Sequence, residues 1–170
     1  MILVYIEDRY ITYLRQFDHR VLLNKSHRPY IGIILKAGKM NYFAPLVTAK
    51  PGKKINKRLA MNIWDNIEQD PLPLSYLSFN NMIPVIESVW RPVDMAELEC
   101  EDVQKFKLLI KEISYIRPRE SDVLKKAASV YNKQAVVGIP FFHQMCIDFK
   151  LLERKSLARF KIEVQHPLRH

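Results

Sequence analysis

Runs of apolar residues in the first half of the chain predict short β-strands. Five segments have the length and the β-branched or aromatic content of strands, namely 2–6, 30–35, 41–47, 59–67 and 82–89. The turn at 37–39 joins the second and third segments into an antiparallel hairpin. Gly32 inside the second segment is typical of a bulge or of a close approach by another backbone. The fourth segment is either a strand or an irregular edge.

Helical periodicity replaces these runs in the second half. Apolar residues recur every three or four positions in 102–116, 121–132 and 146–160. One earlier segment, 8–17, has the same spacing, with Asp8 as its expected N-cap, and Ser121 is the expected N-cap of the third helix. Strands followed by helices predict an α+β fold with a small antiparallel sheet or barrel. We expect a single domain over residues 1–160 and a polar tail over 161–170.

The composition excludes several classes of protein. The chain has 170 residues, of which 48% are hydrophobic and 26% charged, which fits a globular domain and not a disordered chain. No apolar run approaches the roughly 18 residues of a membrane span. Cys100 and Cys146 are far apart and belong to no CxxC pair, so neither a disulfide scaffold nor a zinc site is expected. We therefore expect a protein of the reducing cytoplasm.

The positive charge is concentrated in one part of the chain. Residues 19–64 contain ten Lys or Arg and no Asp or Glu. The rest of the chain carries 17 cations against 18 acids, so the whole net charge of +9 resides in this window. Such segregation is typical of a protein that binds an anionic polymer, above all a nucleic acid. The alternative is a solvated basic face.

The same window favours RNA over DNA as a substrate. The chain has no phosphate-binding glycine loop, no HExxH and no carboxylate cluster near the basic window that could hold magnesium. Cleavage without a metal or other cofactor is feasible for RNA because its 2′-hydroxyl is a built-in nucleophile. The reaction needs cations for the transition state and groups that move protons. Hydroxyl groups of Tyr30, Tyr42 and Thr48 lie among the cations.

Histidines and aromatic residues supply weaker candidates. His19, His27 and His143 could each act as acid or base, although a surface or structural role is the alternative for every one. His27 is the strongest of them because it adjoins Arg28. The aromatic face formed by Tyr10, Tyr13 and Phe17 could stack on RNA, but helical spacing of this kind more often marks a core.

Five segments, in order and with compatible spacing, resemble the ToxN/AbiQ (also CptN) toxins, the endoribonucleases of type III toxin–antitoxin systems. They are 10–18, 28–35, 42–50, 80–85 and 146–153. The resemblance implies a compact barrel-like sheet with added helices, similar to MazF and Kid. It also implies metal-independent cleavage of RNA that leaves a 2′,3′-cyclic phosphate. The implied partner is a small antitoxin RNA made of tandem repeats, which the toxin trims into inhibitory pseudoknots.

The resemblance also assigns catalytic residues. The family's catalytic hydroxyl and lysine, two residues apart after the Ala-Pro-Leu strand, correspond to Thr48 and Lys50, and a basic residue before the Tyr-Ile-Gly strand corresponds to Arg28. Thr48 replaces the serine of some members, and a loop tyrosine used by some relatives has no clear counterpart. Other residues of the basic window are expected to bind RNA: Tyr30, His27, Lys36, Lys39, Lys53, Lys54, Lys57 and Arg58.

Three functions remain open from the sequence. The first is a metal-independent endoribonuclease toxin, inhibited by its own RNA in a closed multimeric assembly and active in abortive infection and phage defence. The second is a non-catalytic RNA-binding module with the same basic hairpin. The third, binding to anionic lipid, is disfavoured because the basic window contains no amphipathic helix with a Lys/Arg face.

Overall fold

The computed structural model describes residues 2–23 and 31–165 of the chain. Its strands form one antiparallel sheet, in the spatial order β4-β5-β3-β2-β1-β7, with β6 paired to the first half of β3. The strands are β1 (Ile2–Ile6), β2 (Ile31–Ala37), β3 (Met40–Thr48), β4 (Ala60–Ile63), β5 (Ser75–Ser78), β6 (Ile83–Val85) and β7 (Trp90–Pro92). The predicted strand at 2–6 is confirmed.

The β2–β3 hairpin is the centre of this sheet. Its register places Gly32 opposite Pro45 and Ala37 opposite Met40. A Cβ atom on Gly32 would lie 2.3 Å from the carbonyl oxygen of Ala44. Only glycine fits such a contact, so the close backbone approach predicted at this position is confirmed.

Helices pack around the sheet, mainly in the second half of the chain. They are α1 (Asp8–Arg15), α2 (Met95–Glu101), α3 (Val103–Ile116), α4 (Glu120–Tyr131), α5 (Pro140–Met145) and α6 (Phe149–Gln165). A π-helical turn, Asn132–Val136, follows α4 directly. The Asp102 carboxylate accepts a hydrogen bond from the Lys105 backbone N–H and so caps α3.

Several predicted boundaries were wrong. Glu7 and not Asp8 occupies the N-cap of α1, and α4 begins at Glu120, so Ser121 lies within its first turn. The segment 82–89 contributes only the short β6, because a 3₁₀ turn, Glu87–Val89, ends the extended chain. The segment 146–160 does not begin a helix at Cys146, and α6 continues to Gln165, into the expected tail.

The closed barrel implied by the resemblance is not confirmed. Among the described residues, the order of strand pairing is open, with β4 at one edge and β7 at the other. Both edge strands are only three or four residues long, and Pro92 in β7 has no N–H to donate to a neighbouring strand. The architecture is therefore a mixed fold of helices packed on an open antiparallel sheet.

The core lies on both faces of the sheet. Residues of β1, β2 and β3 pack with the helical half of the chain in one large cluster, and Tyr5, Ile31, Leu98 and Leu109 form a smaller cluster beneath α2 and α3. In the described part of the chain, no helix is both long and apolar enough to cross a membrane.

Candidate functional site

The end of β3 presents Thr48 to solvent. The preceding residues are fixed in the sheet, since Leu46 pairs with Leu77 and Val47 with Tyr76. Thr48 is the last residue of the strand, is exposed, and pairs with Ser75. Its hydroxyl thus stands at the rim of a rigid sheet.

Lys50 occupies the first corner of a tight turn that follows the strand. The Ala49 N–H donates to the carbonyl of Leu74 at 3.1 Å, which continues the sheet by one contact. The Lys53 N–H then donates to the Lys50 carbonyl at 3.2 Å. Pro51 and Gly52, with Gly52 at φ +75°, occupy the two central positions as in a type II turn. Lys50 and Lys53 are both exposed at the corners of a defined turn, two and five residues beyond Thr48.

Arg28, His27 and Tyr30 lie outside the described residues. What the structure does place is the start of β2, because Ile31 pairs with Tyr5 of β1 and Gly32 pairs with Pro45 of β3. The antiparallel register brings the first residues of β2 to the same end of the sheet as Thr48. Arg28 therefore stays a prediction.

The far end of the basic loop is anchored to the C-terminal helices. The Lys126 ammonium of α4 donates to the Lys57 carbonyl at 2.6 Å. The Arg58 guanidinium lies 4.0 Å from the centroid of the Phe141 ring, a cation–π distance. The Asn56 side chain accepts from the Arg58 N–H at 2.9 Å and so shapes the turn that leads into β4. The segment 49–58 therefore crosses from the Thr48 end of the sheet to α4 and α5.

Sequence analysis missed the helical residues that extend this basic surface. Lys133 lies with its ammonium 5.4 Å from the Phe142 ring centroid, close to Arg58 on the same ring. Burial and the nearby Lys133 charge lower the pKa of Lys126. These cations were hidden in the sequence because acids and bases are mixed in the helical half, so only the fold collects them. We call Lys57, Arg58, Lys126, Lys133 and Phe141 the basic ridge.

Lys36 and Lys39 lie at the opposite end of the hairpin from Thr48. Lys36 pairs with Asn41, and Lys39 is in the turn that precedes Met40. The length of β3 between Met40 and Thr48 corresponds to about 25 Å at the usual rise of a strand. Both lysines are exposed, but they cannot contact the same nucleotide as Thr48.

Tyr42 is not available to a substrate. It is completely buried, and its hydroxyl donates to Glu153 at 2.9 Å. Burial and the Glu153 charge raise the pKa of Tyr42 well above its ordinary value. Tyr10 is also fully buried, with its hydroxyl bonded to the Pro84 carbonyl, so the core interpretation of this aromatic face is confirmed there. His19 and His143 are exposed.

Titratable groups do not converge into a metal site in the described residues. Over 2–23 and 31–165, no group of three or more His, Cys, Asp or Glu is arranged to hold a metal ion. Cys100 is exposed and Cys146 buried, and both are free thiols. Metal independence of the reaction stays a prediction.

Comparison with known proteins places the chain in a family. The family model for the toxin ToxN of type III toxin–antitoxin systems matches residues 2–156. The chain belongs to this ToxN family. It is 34% identical over 158 residues to the endoribonuclease ToxN of Bacillus thuringiensis subsp. kurstaki, a match that covers 88% of this chain and 79% of that protein.

Two solved structures share this fold. One, from a study of selective toxin inhibition by a non-coding RNA pseudoknot, has a TM-score of 0.81 and 32% identity over 93% of this chain and 96% of its own. The other is the lactococcal anti-phage endoribonuclease AbiQ, with a TM-score of 0.80 and 30% identity over 94% of this chain and 98% of its own. The open sheet with its added helices is thus the fold of this family.

Proposed function

We propose that this protein is the endoribonuclease toxin of a type III toxin–antitoxin system. The observation that carries the proposal is the placement of Thr48 and Lys50. An exposed hydroxyl and an exposed ammonium lie two residues apart at the end of a rigid strand, in a chain similar to endoribonucleases.

Cleavage would follow from the chemistry of RNA itself. The 2′-oxygen attacks the adjacent phosphorus, and the bond from phosphorus to the 5′-oxygen breaks. The products are a 2′,3′-cyclic phosphate and a 5′-hydroxyl, which takes up a proton. The Thr48 hydroxyl donates to a phosphate oxygen, while Lys50 either stabilises the added negative charge or protonates the departing oxygen. Arg28 is proposed as a further cation at this phosphate. The reaction requires no metal in this proposal.

The RNA would extend from this phosphate along the basic loop. Lys53 and Lys54 are exposed beside the turn, and the loop ends on the basic ridge. Phosphate contacts of this kind bind without regard to base sequence. Arg58 on Phe141 keeps a planar cation and an aromatic ring at the surface, a combination suited to an unstacked base. Tyr30, His27, Lys36 and Lys39 are proposed as additional contacts.

We further propose that a repeat-derived RNA pseudoknot is the antitoxin of this chain. Support comes from the structural relative studied for selective toxin inhibition by such an RNA. The toxin would cut its own antitoxin precursor and remain bound to the product in a closed multimeric assembly. Action on cellular RNA places it in the cytoplasm, and the anti-phage relative supports a role in abortive infection.

One assay separates this function from RNA binding without catalysis. The purified protein is mixed with an RNA of tandem near-identical repeats from its own locus, in excess EDTA, and the ends of the products are mapped. The proposal predicts one cut per repeat and a 2′,3′-cyclic phosphate at each 3′ end. A complex that forms and leaves the RNA intact would support the binding module and contradict the proposal.

A further inference from the structure

A buried carboxyl group lies behind the strand pair that carries Thr48. Glu112 of α3 is only 3% exposed, and Ser75 of β5 is 1% exposed. The Glu112 carboxyl faces the Ser75 hydroxyl, which makes no hydrogen bond of full geometry with any described residue. A buried acid with a single hydroxyl beside it has few partners that could fix its protonation state.

Ser75 connects this carboxyl to the proposed site. It is the register partner of Thr48 in the antiparallel β3–β5 pair. Side chains of directly opposite residues project from the same face, with Cβ atoms about 5 Å apart, and Thr–Ser pairs at such positions can hydrogen-bond. Rotation about the side-chain bonds brings the Ser75 hydroxyl within reach of either Glu112 or Thr48.

We propose that Glu112 is a positioning residue that acts through Ser75 to set the direction of the Thr48 hydroxyl. The inference rests on the proposed function, since it needs Thr48 at the reacting phosphate. Glu112 does not touch the RNA. Its protonation state decides which way the hydrogen bonds of the row run.

The direction follows from counting donors and acceptors. A protonated Glu112 donates to Ser75 Oγ, Ser75 donates to Thr48 Oγ1, and the Thr48 hydrogen is directed at the phosphate. An ionised Glu112 can only accept, so Ser75 donates to it and then accepts from Thr48. The Thr48 hydrogen is then turned away from the phosphate. Protonated Glu112 is the active form.

The surroundings of Glu112 favour this active form. Burial raises the pKa of Glu112, and the Ser75 hydroxyl opposes the shift only in part. The charged groups on the elements packed against α3 are directed elsewhere. Asp65, just after β4, pairs with Lys111, and Glu97 and Glu101 of α2 act on Tyr5. Arg117 and Arg119 lie in the 3₁₀ turn that follows α3, where Arg119 stacks on Tyr115. None of these charges contributes to the shift at Glu112.

The test is the pH dependence of single-turnover RNA cleavage by Glu112→Gln. Glutamine has a donor and an acceptor but does not titrate, so we expect cleavage to persist while one descending ionisation disappears from the kcat profile. Ser75→Ala breaks the row with a smaller change. It should lower kcat by about tenfold, the effect of one lost neutral hydrogen bond, and leave KM unchanged. The matched control is Glu153→Gln, a second buried carboxyl that serves the Tyr42 and Tyr131 hydroxyls.

Each outcome distinguishes the two proposals. An unchanged profile in Glu112→Gln, together with wild-type kcat in Ser75→Ala, would overturn the inference. If Glu112→Gln does not fold, Ser75→Ala alone decides, because wild-type kcat and an unaltered descending limb would overturn it. Loss of the same limb in Glu153→Gln would mean that the limb reports stability, which also overturns it. Full activity of Thr48→Ala would instead contradict the proposed site.

Discussion

The ammonium of Lys126 donates a hydrogen bond to the backbone carbonyl of Lys57 across 2.6 Å. This contact joins the basic loop, which comes from the N-terminal half, to α4 in the C-terminal half. It fixes the loop by its main chain and leaves the Lys57 side chain exposed for other partners. The loop therefore has a defined turn at Lys50, an anchor at Lys57 and exposed cations between them.

We predict that Lys126→Met weakens RNA binding more than the loss of one charge explains. Lys125→Met is the control, because Lys125 is an exposed neighbour that removes the same charge from α4. A hydrogen bond of this kind is worth about 1 kcal/mol, so the Kd of Lys126→Met should exceed that of Lys125→Met about three- to tenfold. Filter binding at fixed salt measures both values. Equal Kd values would show that the anchor does not order the loop.

The exposed lysines of the loop should set the salt dependence of binding. Replacing Lys53, Lys54 and Lys57 together by Gln should flatten the slope of log K against log salt by about two to three. The control replaces three exposed lysines elsewhere in the described chain, Lys107, Lys125 and Lys161. We expect that triple variant to change the slope less. If the two triple variants gave the same slope, the loop would not be the electrostatic footprint.

Asp18 should make the stability of the protein sensitive to acid. Burial works against its charge, but hydrogen bonds from Arg20 and from the Asp148 N–H hold the pKa of Asp18 below its ordinary value. A lowered pKa stabilises the fold above the ordinary value near 3.8, and this contribution is lost as the pH falls through the lower folded value.

Thermal melts at several pH values test this effect. We expect Asp18→Asn to have a lower Tm than the wild type at neutral pH, and the difference to shrink as the solution is acidified. The exposed Glu99→Gln variant should follow the wild type. A difference in Tm that stays constant down to the acid range would contradict the assignment of Asp18.

Local patterns in the sequence were sufficient for the elements that contain the site. The apolar run around Gly32, the turn at 37–39 and the return strand define the hairpin, and Pro51-Gly52 marks the turn after it. Their information is local, since it depends on glycine, proline and β-branched residues within a few positions. The cation-rich loop was visible in the same way because no acid interrupts it.

Long-range contacts could not be read from the chain. Ser75–Ser78 is only four residues long, and its pattern of two buried serines around Leu77 does not alternate as a half-buried strand does. Without β5, the pairing of Ser75 with Thr48 and its contact with Glu112 were invisible. Pro140–Met145 is likewise too short for a helical period, so the position of Phe141 beside Arg58 emerged only from the fold.

Thr48→Ala should reduce cleavage and preserve binding of the antitoxin RNA. Loss of one transition-state donor typically costs about 3 kcal/mol, which corresponds to roughly 10²–10³ in kcat. Thr48→Ser is the matched control, because it keeps the hydroxyl and removes only a methyl group, so it should remain active. Single-turnover cleavage at saturating RNA measures the difference. Wild-type kcat in Thr48→Ala would assign the residue to the end of a strand and not to catalysis.

The most direct measurement compares Lys50→Ala with Lys53→Ala in the cleavage of repeat RNA. The two lysines occupy the corners of one turn, are both exposed and remove the same charge. Single-turnover rates at saturating RNA, with analysis of the product ends, separate chemistry from binding. The proposed active site predicts that Lys53→Ala cleaves at close to the wild-type rate, whereas Lys50→Ala binds the RNA and yields no 2′,3′-cyclic phosphate. Cyclic phosphate ends formed by Lys50→Ala at the wild-type rate would contradict it.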